Sequence, residues 1–158
     1  MSTHEPAPPT APGQPQPTPA AVGPTGAQCV ALIIDDESTI RSALKRYFTR
    51  RGWLVYEAED GAAGLALLAE HRDEICVVLS DLRMPGFSGI ELHDRLAREQ
   101  PNLLRRFVFS TGDVASADAA SFVQRTSCPV LQKPFELRML DSIIASVMDA
   151  GSPERMIT

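Results

Sequence analysis

Several classes of protein are excluded by what this chain has little of. It carries only 3 cysteines, Cys29, Cys76 and Cys128, with no CxxC spacing and one left odd. That pattern argues against both a structural zinc centre and a disulfide framework. Basic residues are in deficit: 15 Lys and Arg stand against 20 Asp and Glu, a formal net charge of −5. A nucleic-acid binder needs a basic face, so no nucleic-acid partner is expected. No apolar run approaches the length of a membrane span; Val30–Ile34 is typical. The first residues, Met-Ser-Thr-His-Glu-Pro, offer neither a basic nor an apolar segment of the secretory kind. A cytoplasmic protein without membrane contact is the expectation. What is there fits an ordinary globular protein: 158 residues, 44% hydrophobic and 22% charged.

The composition is uneven. Residues 1–27 hold 8 of the 13 prolines, one carboxylate (Glu5), no Lys or Arg, and a single large aliphatic, Val22. Such a stretch has too little apolar surface to offset the entropy of ordering it, so a disordered, partly polyproline-like arm is expected. The spacings Pro6-x-x-Pro9 and Pro9-x-x-Pro12 match a minimal SH3-type ligand, but an inert solubilising arm is the plainer reading.

From residue 28 onward, short apolar runs alternate with helical patterns. Val30–Ile34, Leu54–Ala58, Ile75–Ser80, Phe107–Ser110 and Val130–Gln132 read as strands. Between and after them, helices are expected over Ser38–Arg51, Ala62–Ala69, Ser88–Gln100, Ala115–Gln124 and Glu136–Met148. Ser88-Gly-Ile-Glu91 has the form of a capping box, and Pro101 forbids continuation of that helix. Five strands alternating with five helices imply a parallel sheet joined by crossovers. Unbroken apolar strands imply cover on both faces, the doubly wound α/β arrangement. One domain over 28–150 and a short tail over 151–158 are expected, since the stretch after the last helix is too short for another domain.

In such a sheet, chemistry gathers at the carboxyl ends of the strands. The first strand runs into Asp35-Asp36, the third through Ser80 into Asp81, the fourth into Ser110-Thr111-Gly112 and the fifth into Lys133-Pro134. Three carboxylates, a hydroxyl and an ammonium would share one rim. The carboxylates repel unless a hard divalent cation sits among them, and Mg²⁺ suits an oxygen-only set. The cation would also neutralise an incoming phosphoryl group, leaving one carboxylate as nucleophile.

These strings resemble the response regulator receiver domain, the CheY-like fold of two-component signalling. They are Leu32-Ile33-Ile34-Asp35-Asp36-Glu37-Ser38, Ser80-Asp81-Leu82-Arg83-Met84-Pro85-Gly86, Ser110-Thr111-Gly112 and Lys133-Pro134-Phe135. Asp36, Asp81, Thr111 and Lys133 follow one another at 45, 30 and 22 residues. The resemblance implies a flavodoxin-like, five-stranded sheet in the order 2-1-3-4-5. It makes Asp81 the phosphoacceptor, and Asp36 and Asp81 direct Mg²⁺ ligands together with the Arg83 backbone carbonyl. Asp35 acts through water, Thr111 hydrogen-bonds the phosphoryl group, and Lys133, ahead of a cis peptide to Pro134, pairs with a phosphoryl oxygen. The donor is a histidine kinase or histidine phosphotransfer protein. The output is a conformational change sensed by an unknown downstream protein, so the chain is not an enzyme beyond its own phosphorylation and slow dephosphorylation. The wording around Thr111 and Lys133 also resembles receivers attached to hybrid sensor kinases.

Competing readings stand beside these. Asp35 and Asp36 have the form of helix caps, and Ser110 competes with Thr111 for the hydroxyl role. The cysteines read as small buried hydrophobes, and His4, His71 and His93 as surface residues. Arg41, Lys45, Arg46, Arg50 and Arg51 crowd the first helix, either as a solvated face or as a docking stripe. Two departures from the family pattern matter. Val130 stands where the family often has Tyr or Phe, and Arg83 and Asp113 flank the acceptor and hydroxyl positions, where they form a candidate lid. Two rivals remain: a phosphate-independent pseudo-receiver, for which Val130 speaks, and a Mg²⁺-dependent phosphatase with an Asp nucleophile, which wants an acid where Arg83 stands.

Overall fold

Apolar residues on alternate sides of five short strands give the sheet two buried faces. In this computed structural model, residues 28–150 are described. The strands are β1 (Val30–Ile34), β2 (Leu54–Ala58), β3 (Ile75–Asp81), β4 (Phe107–Thr111) and β5 (Val130–Gln132). All pairings are parallel, in the order β2-β1-β3-β4-β5. The helices are α1 (Ser38–Arg50), α2 (Gly61–His71), α3 (Gly89–Glu99), α4 (Ala117–Arg125) and α5 (Leu137–Ala150), with a 3₁₀ turn over Pro101–Arg106. Leu32, Ile34, Val78 and Phe109 face Leu92 and Phe122, while Ala31, Ile33 and Leu79 face Leu44, Phe48 and Leu140. This is the expected doubly wound sheet. The expected arm over 1–27, with its PxxP spacings and His4, and the expected tail over 151–158 lie outside the described residues. No described helix is long and apolar enough to cross a membrane.

Most boundary differences trace to caps. α2 opens at Gly61 rather than Ala62, because Asp60 accepts a hydrogen bond from the Ala63 N–H at 2.8 Å, and it continues to His71. α4 opens at Ala117 rather than Ala115, because Ser116 is the cap, accepting from the Ala119 N–H at 3.2 Å. The capping box of α3 is present with both bonds, Ser88 to Glu91 and back, each at 3.2 Å. Pro101 does stop α3, but it opens the 3₁₀ turn, which a purely α-helical periodicity does not reveal.

The cysteines sit where small hydrophobes were expected. Cys29 and Cys128 are buried and Cys76 is half-buried. The register of β1 on β3 shifts so that Val30 lies opposite Ile75 but Ala31 opposite Val77, leaving Cys76 as the extra residue. Burial, aided by Cys76, pushes the Cys29 thiol up to about 12, far from a reactive thiolate.

His93 is a correction. It is buried rather than a surface residue, edge-on to Phe122 and Phe109 at ring separations of 4.7 and 5.6 Å. Its position beside Leu92 and one turn before Leu96 places it on the buried stripe of α3, where a polar residue is easily mistaken for a solvated one. The ring is satisfied by Thr126 Oγ1 at 3.1 Å and Asp94 Oδ1 at 3.0 Å. Asp94 in turn takes both arms of Arg125, at 2.6 and 3.1 Å, so α3 and the end of α4 are clasped together.

That clasp has a pH signature. The Arg125 guanidinium holds the Asp94 carboxyl below the ordinary carboxylate range, against an opposing contribution from burial. A depressed carboxylate contributes stability that is present above the unfolded value of about 4 and lost as the pH falls through the lower folded value. Both side chains are about two-fifths exposed, so solvent screening limits the pair to no more than about 1 kcal/mol. Asp94→Asn is expected to lower the melting temperature at pH 7 by a few degrees. Thermal melts across pH should show the gap to the parent protein closing below about pH 4.

Candidate functional site

Each expected residue reaches the rim because its strand ends there. Asp35 extends β1 by one residue, its N–H donating to the Ala58 carbonyl at 3.0 Å. Asp81 is the last residue of β3, and Thr111 the last of β4. Lys133 follows β5, its N–H held by the Thr111 carbonyl at 2.8 Å, and the Lys133–Pro134 peptide is cis. Asp35, Asp81 and Thr111 are buried, whereas Asp36 is exposed.

The structure brings the carboxylates together around one ammonium. Lys133 Nζ lies 2.9 Å from Asp35 Oδ2 and 3.1 Å from Asp81 Oδ2. Glu37, not singled out from the sequence, joins them, with Oε1 3.6 Å from the same ammonium. Asp35, Asp36, Glu37 and Asp81 can each offer one oxygen, all within 4.8 Å of one another. Glu37 directly follows the acidic pair in the string, which is the signal that could have found it. Burial pushes the Asp81 carboxyl above its ordinary range, and Lys133 opposes that rise. Burial pulls the Lys133 ammonium down, but Asp35 and Asp81 outweigh it and hold it above its ordinary value. At neutral pH Lys133 therefore carries its charge. Four carboxylates against one ammonium leave an excess of negative charge, with oxygen-only donors at close quarters, and that set fits a hard divalent cation such as Mg²⁺.

The capping alternative is answered by the bonds. Asp35 Oδ1 does accept from the Glu37 N–H, at 2.9 Å, but the cap position of α1 is Glu37 itself, which makes no side-chain cap. Both candidate hydroxyls are buried at the end of β4, with Ser110 in register beside Asp81. Thr111 Oγ1 accepts from the Asp113 N–H at 3.1 Å, which leaves its own hydroxyl proton available to donate. Arg83 places its backbone N–H 3.4 Å from Asp81 Oδ1. Its guanidinium lies 3.9 Å from Asp113 Oδ2, with both side chains more than half exposed. Val130 is half-buried, paired with Phe109 of β4 and packed against the core cluster that includes Phe122 of α4.

A family model described as the response regulator receiver domain matches residues 31–145. The chain belongs to that family. Among its relatives, Sensor kinase CckA of Brucella abortus is 29% identical over 118 residues, which is 75% of this chain and 12% of that protein. Transcriptional regulatory protein AfsQ1 of Streptomyces coelicolor is 31% identical over 123 residues, 78% of this chain and 52% of the relative. The chain thus spans about half or less of these curated relatives. A response regulator receiver domain protein from Clostridium thermocellum superposes with a TM-score of 0.67 at 25% identity, covering 82% of this chain and 99% of that one. The signal receiver domain of a signal transduction histidine kinase from Syntrophus aciditrophicus gives 0.69 at 20% identity, covering 78% and 92%, which shows the shared fold. Neither the pseudo-receiver nor the phosphatase reading gains support from these relatives.

The loop after Asp81 in this receiver domain is held by close backbone approach. Gly89 N–H donates to the Leu82 carbonyl at 3.0 Å, and a Cβ at Gly89 would lie 2.0 Å from the Asp81 carbonyl oxygen. Backbone on both sides must then move. Gly89→Ala is expected to destabilise the domain by about 2–4 kcal/mol, an overpacking cost at the upper end of its class, read from urea unfolding midpoints.

Proposed function

We propose that this chain is a phosphoacceptor in a two-component phosphorelay, receiving a phosphoryl group on Asp81 from a phosphohistidine. The observation that carries the reading is a carboxylate at the end of β3 in contact with a lysine ammonium, inside a cluster of acidic oxygens. An Asp81 carboxylate oxygen forms the new bond to phosphorus while the phosphorus–nitrogen bond to the donor imidazole breaks, and the imidazole leaves with a proton. Lys133 pairs with a phosphoryl oxygen, drawing away from Asp81 as the carboxylate charge is taken up in the acyl phosphate. Thr111 donates its free hydroxyl proton to another phosphoryl oxygen.

Asp36, Asp81 and the Arg83 backbone carbonyl are the residues to hold Mg²⁺, with Asp35 acting through water and Glu37 at the margin. When bound, the cation supplies charge neutralisation for the phosphoryl oxygens. The donor is a histidine kinase or a histidine phosphotransfer protein. Asp81 is itself the reactant, so the chain is not an enzyme in the sense of turning over a separate substrate. Its output is a change of conformation sensed by a downstream protein. An acidic domain of this family acts in the cytoplasm, with no nucleic acid or membrane contact of its own.

Incubation with acetyl phosphate and Mg²⁺, followed by digestion and peptide mapping, is expected to place one label on Asp81. EDTA is expected to abolish it, because the carboxylates and the phosphoryl group then repel without relief. Label on Ser110, on a histidine, or on nothing at all would sink the assignment.

The Arg83–Asp113 pair bears on how long the label lasts. Hydrolysis needs a water in line with the phosphorus–oxygen bond that breaks. A guanidinium leaning across the opening toward Asp113 crowds that approach. Arg83→Ala is expected to shorten the phosphoryl lifetime by about tenfold, equivalent to about 1.4 kcal/mol on the barrier. Asp113→Ala is expected to do so partly, by freeing Arg83. A double-mutant cycle on the dephosphorylation rate decides the matter: simple additivity, or a longer lifetime in Arg83→Ala, means there is no lid.

A further inference from the structure

We infer that Arg41 is a positioning residue for the Asp35–Asp36 pair, its guanidinium, braced by Glu57, fixing the peptide that joins the two carboxylates and so setting their affinity for Mg²⁺. The inference rests on the reading of the rim as a Mg²⁺-dependent phosphoacceptor site.

Arg41 lies in the first turn of α1, its backbone N–H bonded to the Glu37 carbonyl at 3.1 Å. Its side chain turns back beneath the loop it has just left. Nη1 donates to the Asp35 carbonyl oxygen at 2.6 Å, a charge-assisted hydrogen bond. Nε lies 3.5 Å from Glu57 Oε1 on β2, and the arginine side chain is only 17% exposed. The other Glu57 oxygen is 3.4 Å from Lys45 Nζ, which keeps that carboxylate in place.

The consequence is a two-sided hold on Asp35. Its N–H donates to the Ala58 carbonyl of β2, and its C=O accepts from an arginine anchored on the neighbouring β2 residue, Glu57. The C=O bond ties the Asp35–Asp36 peptide plane itself, and the N–H bond ties the plane that precedes it. Asp36 is exposed, and the Asp35–Asp36 plane sets the direction in which its side chain leaves the backbone. Groups that orient metal ligands from behind are typically worth 10- to 100-fold in affinity. Arginine suits the position because one planar fork serves a carbonyl and a carboxylate together, which a lysine ammonium on a flexible stem does less well.

The test is Mg²⁺ titration calorimetry on the full chain, paired with thermal melts without the metal. Arg41→Ala is expected to weaken Mg²⁺ binding by about tenfold, the lower end of that range, while lowering the melting temperature by only a few degrees. Glu57→Gln, which leaves the arginine but loosens its brace, is expected to weaken binding less. The double variant should bind no more weakly than Arg41→Ala alone, because both changes act through one guanidinium. Arg41→Lys, which keeps the charge but not the fork, should recover only part of the loss. Parent-like binding in Arg41→Ala, full recovery in Arg41→Lys, or losses that add would each overturn the inference. If Arg41→Ala does not fold, Glu57→Gln and Arg41→Lys carry the decision, since a merely structural role lowers the melting temperature without moving the Mg²⁺ affinity. Absence of Mg²⁺ binding in the parent chain overturns the metal site and this inference together; loss of the effect with parent binding intact overturns the inference alone.

Discussion

Lys133 stands at the centre of the electrostatics on which the rest of the rim depends. Two like charges about 5 Å apart, at an effective dielectric of about 20, repel by about 3 kcal/mol. Four acidic oxygens gathered within 4.8 Å involve several such pairs, and a single ammonium offsets only part of that cost. The remainder is borne by the sheet. Asp35 and Asp81 lie at the ends of adjacent strands, β1 fully buried and β3 buried but for Cys76, whose packing on both faces holds them together. Burial is the main cause of the rise in the Asp81 carboxyl above its ordinary range, Lys133 opposes it, and the Asp35 charge adds a smaller push upward. Carboxylates held together at such a cost form an oxygen-only set that fits a hard divalent cation.

Holding the strands is not enough, because the acidic residues extend into loops. Three contacts by backbone or arginine hold those loops against neighbouring main chain. Gly61 N–H reaches the Phe87 carbonyl at 2.9 Å, Gly89 packs on the Asp81 carbonyl, and Arg41 ties down the Asp35 carbonyl. Two of these need the absence of a side chain and one needs a long one. Two of the three act on the main-chain carbonyls of Asp81 and Asp35 themselves, so peptide planes help to set the geometry of the rim.

This explains which parts were legible in the sequence. The strands and the order of elements follow from apolar runs and breakers, because burial on two faces leaves an unmistakable pattern in Val30–Ile34 and Ile75–Ser80. The residues at the strand ends follow too, since a charge directly after such a run can hardly be anywhere but the rim. Glu37, Arg41 and Glu57 were not legible as parts of one site. A glutamate on an exposed edge and an arginine on a helix are ordinary surface residues until the fold sets β2 beside β1. His93 failed for the opposite reason: its partners, Asp94, Thr126 and Phe122, come from two helices and the segment after the second, and no local spacing announces them. The early starts given to α4 and the late start given to α2 reflect caps whose bonds are visible only once the backbone is in place.

The basic helix shows how the same fold reassigns charge. Five cations along α1 offer two readings from sequence, a solvated face or a docking stripe. In the folded domain, Arg41 and Lys45 share Glu57, while Arg51 stacks on the Tyr47 ring at 3.6 Å and reaches Asp141 of α5 at 3.2 Å. Tyr47 also donates its hydroxyl to Asp141, so α1 is bound to β2 at one end and to α5 at the other. Arg41, Lys45 and Arg51 are thus engaged within the domain, and the charge an approaching protein would meet along α1 is smaller than the sequence suggests. Beside α1, at the acidic rim, lies an apolar cleft lined by Ile40, Ala43, Leu44, Phe135 and Leu137, with Lys133 and Glu37 at its border. The domain therefore presents nonpolar surface on this side directly beside the acidic rim.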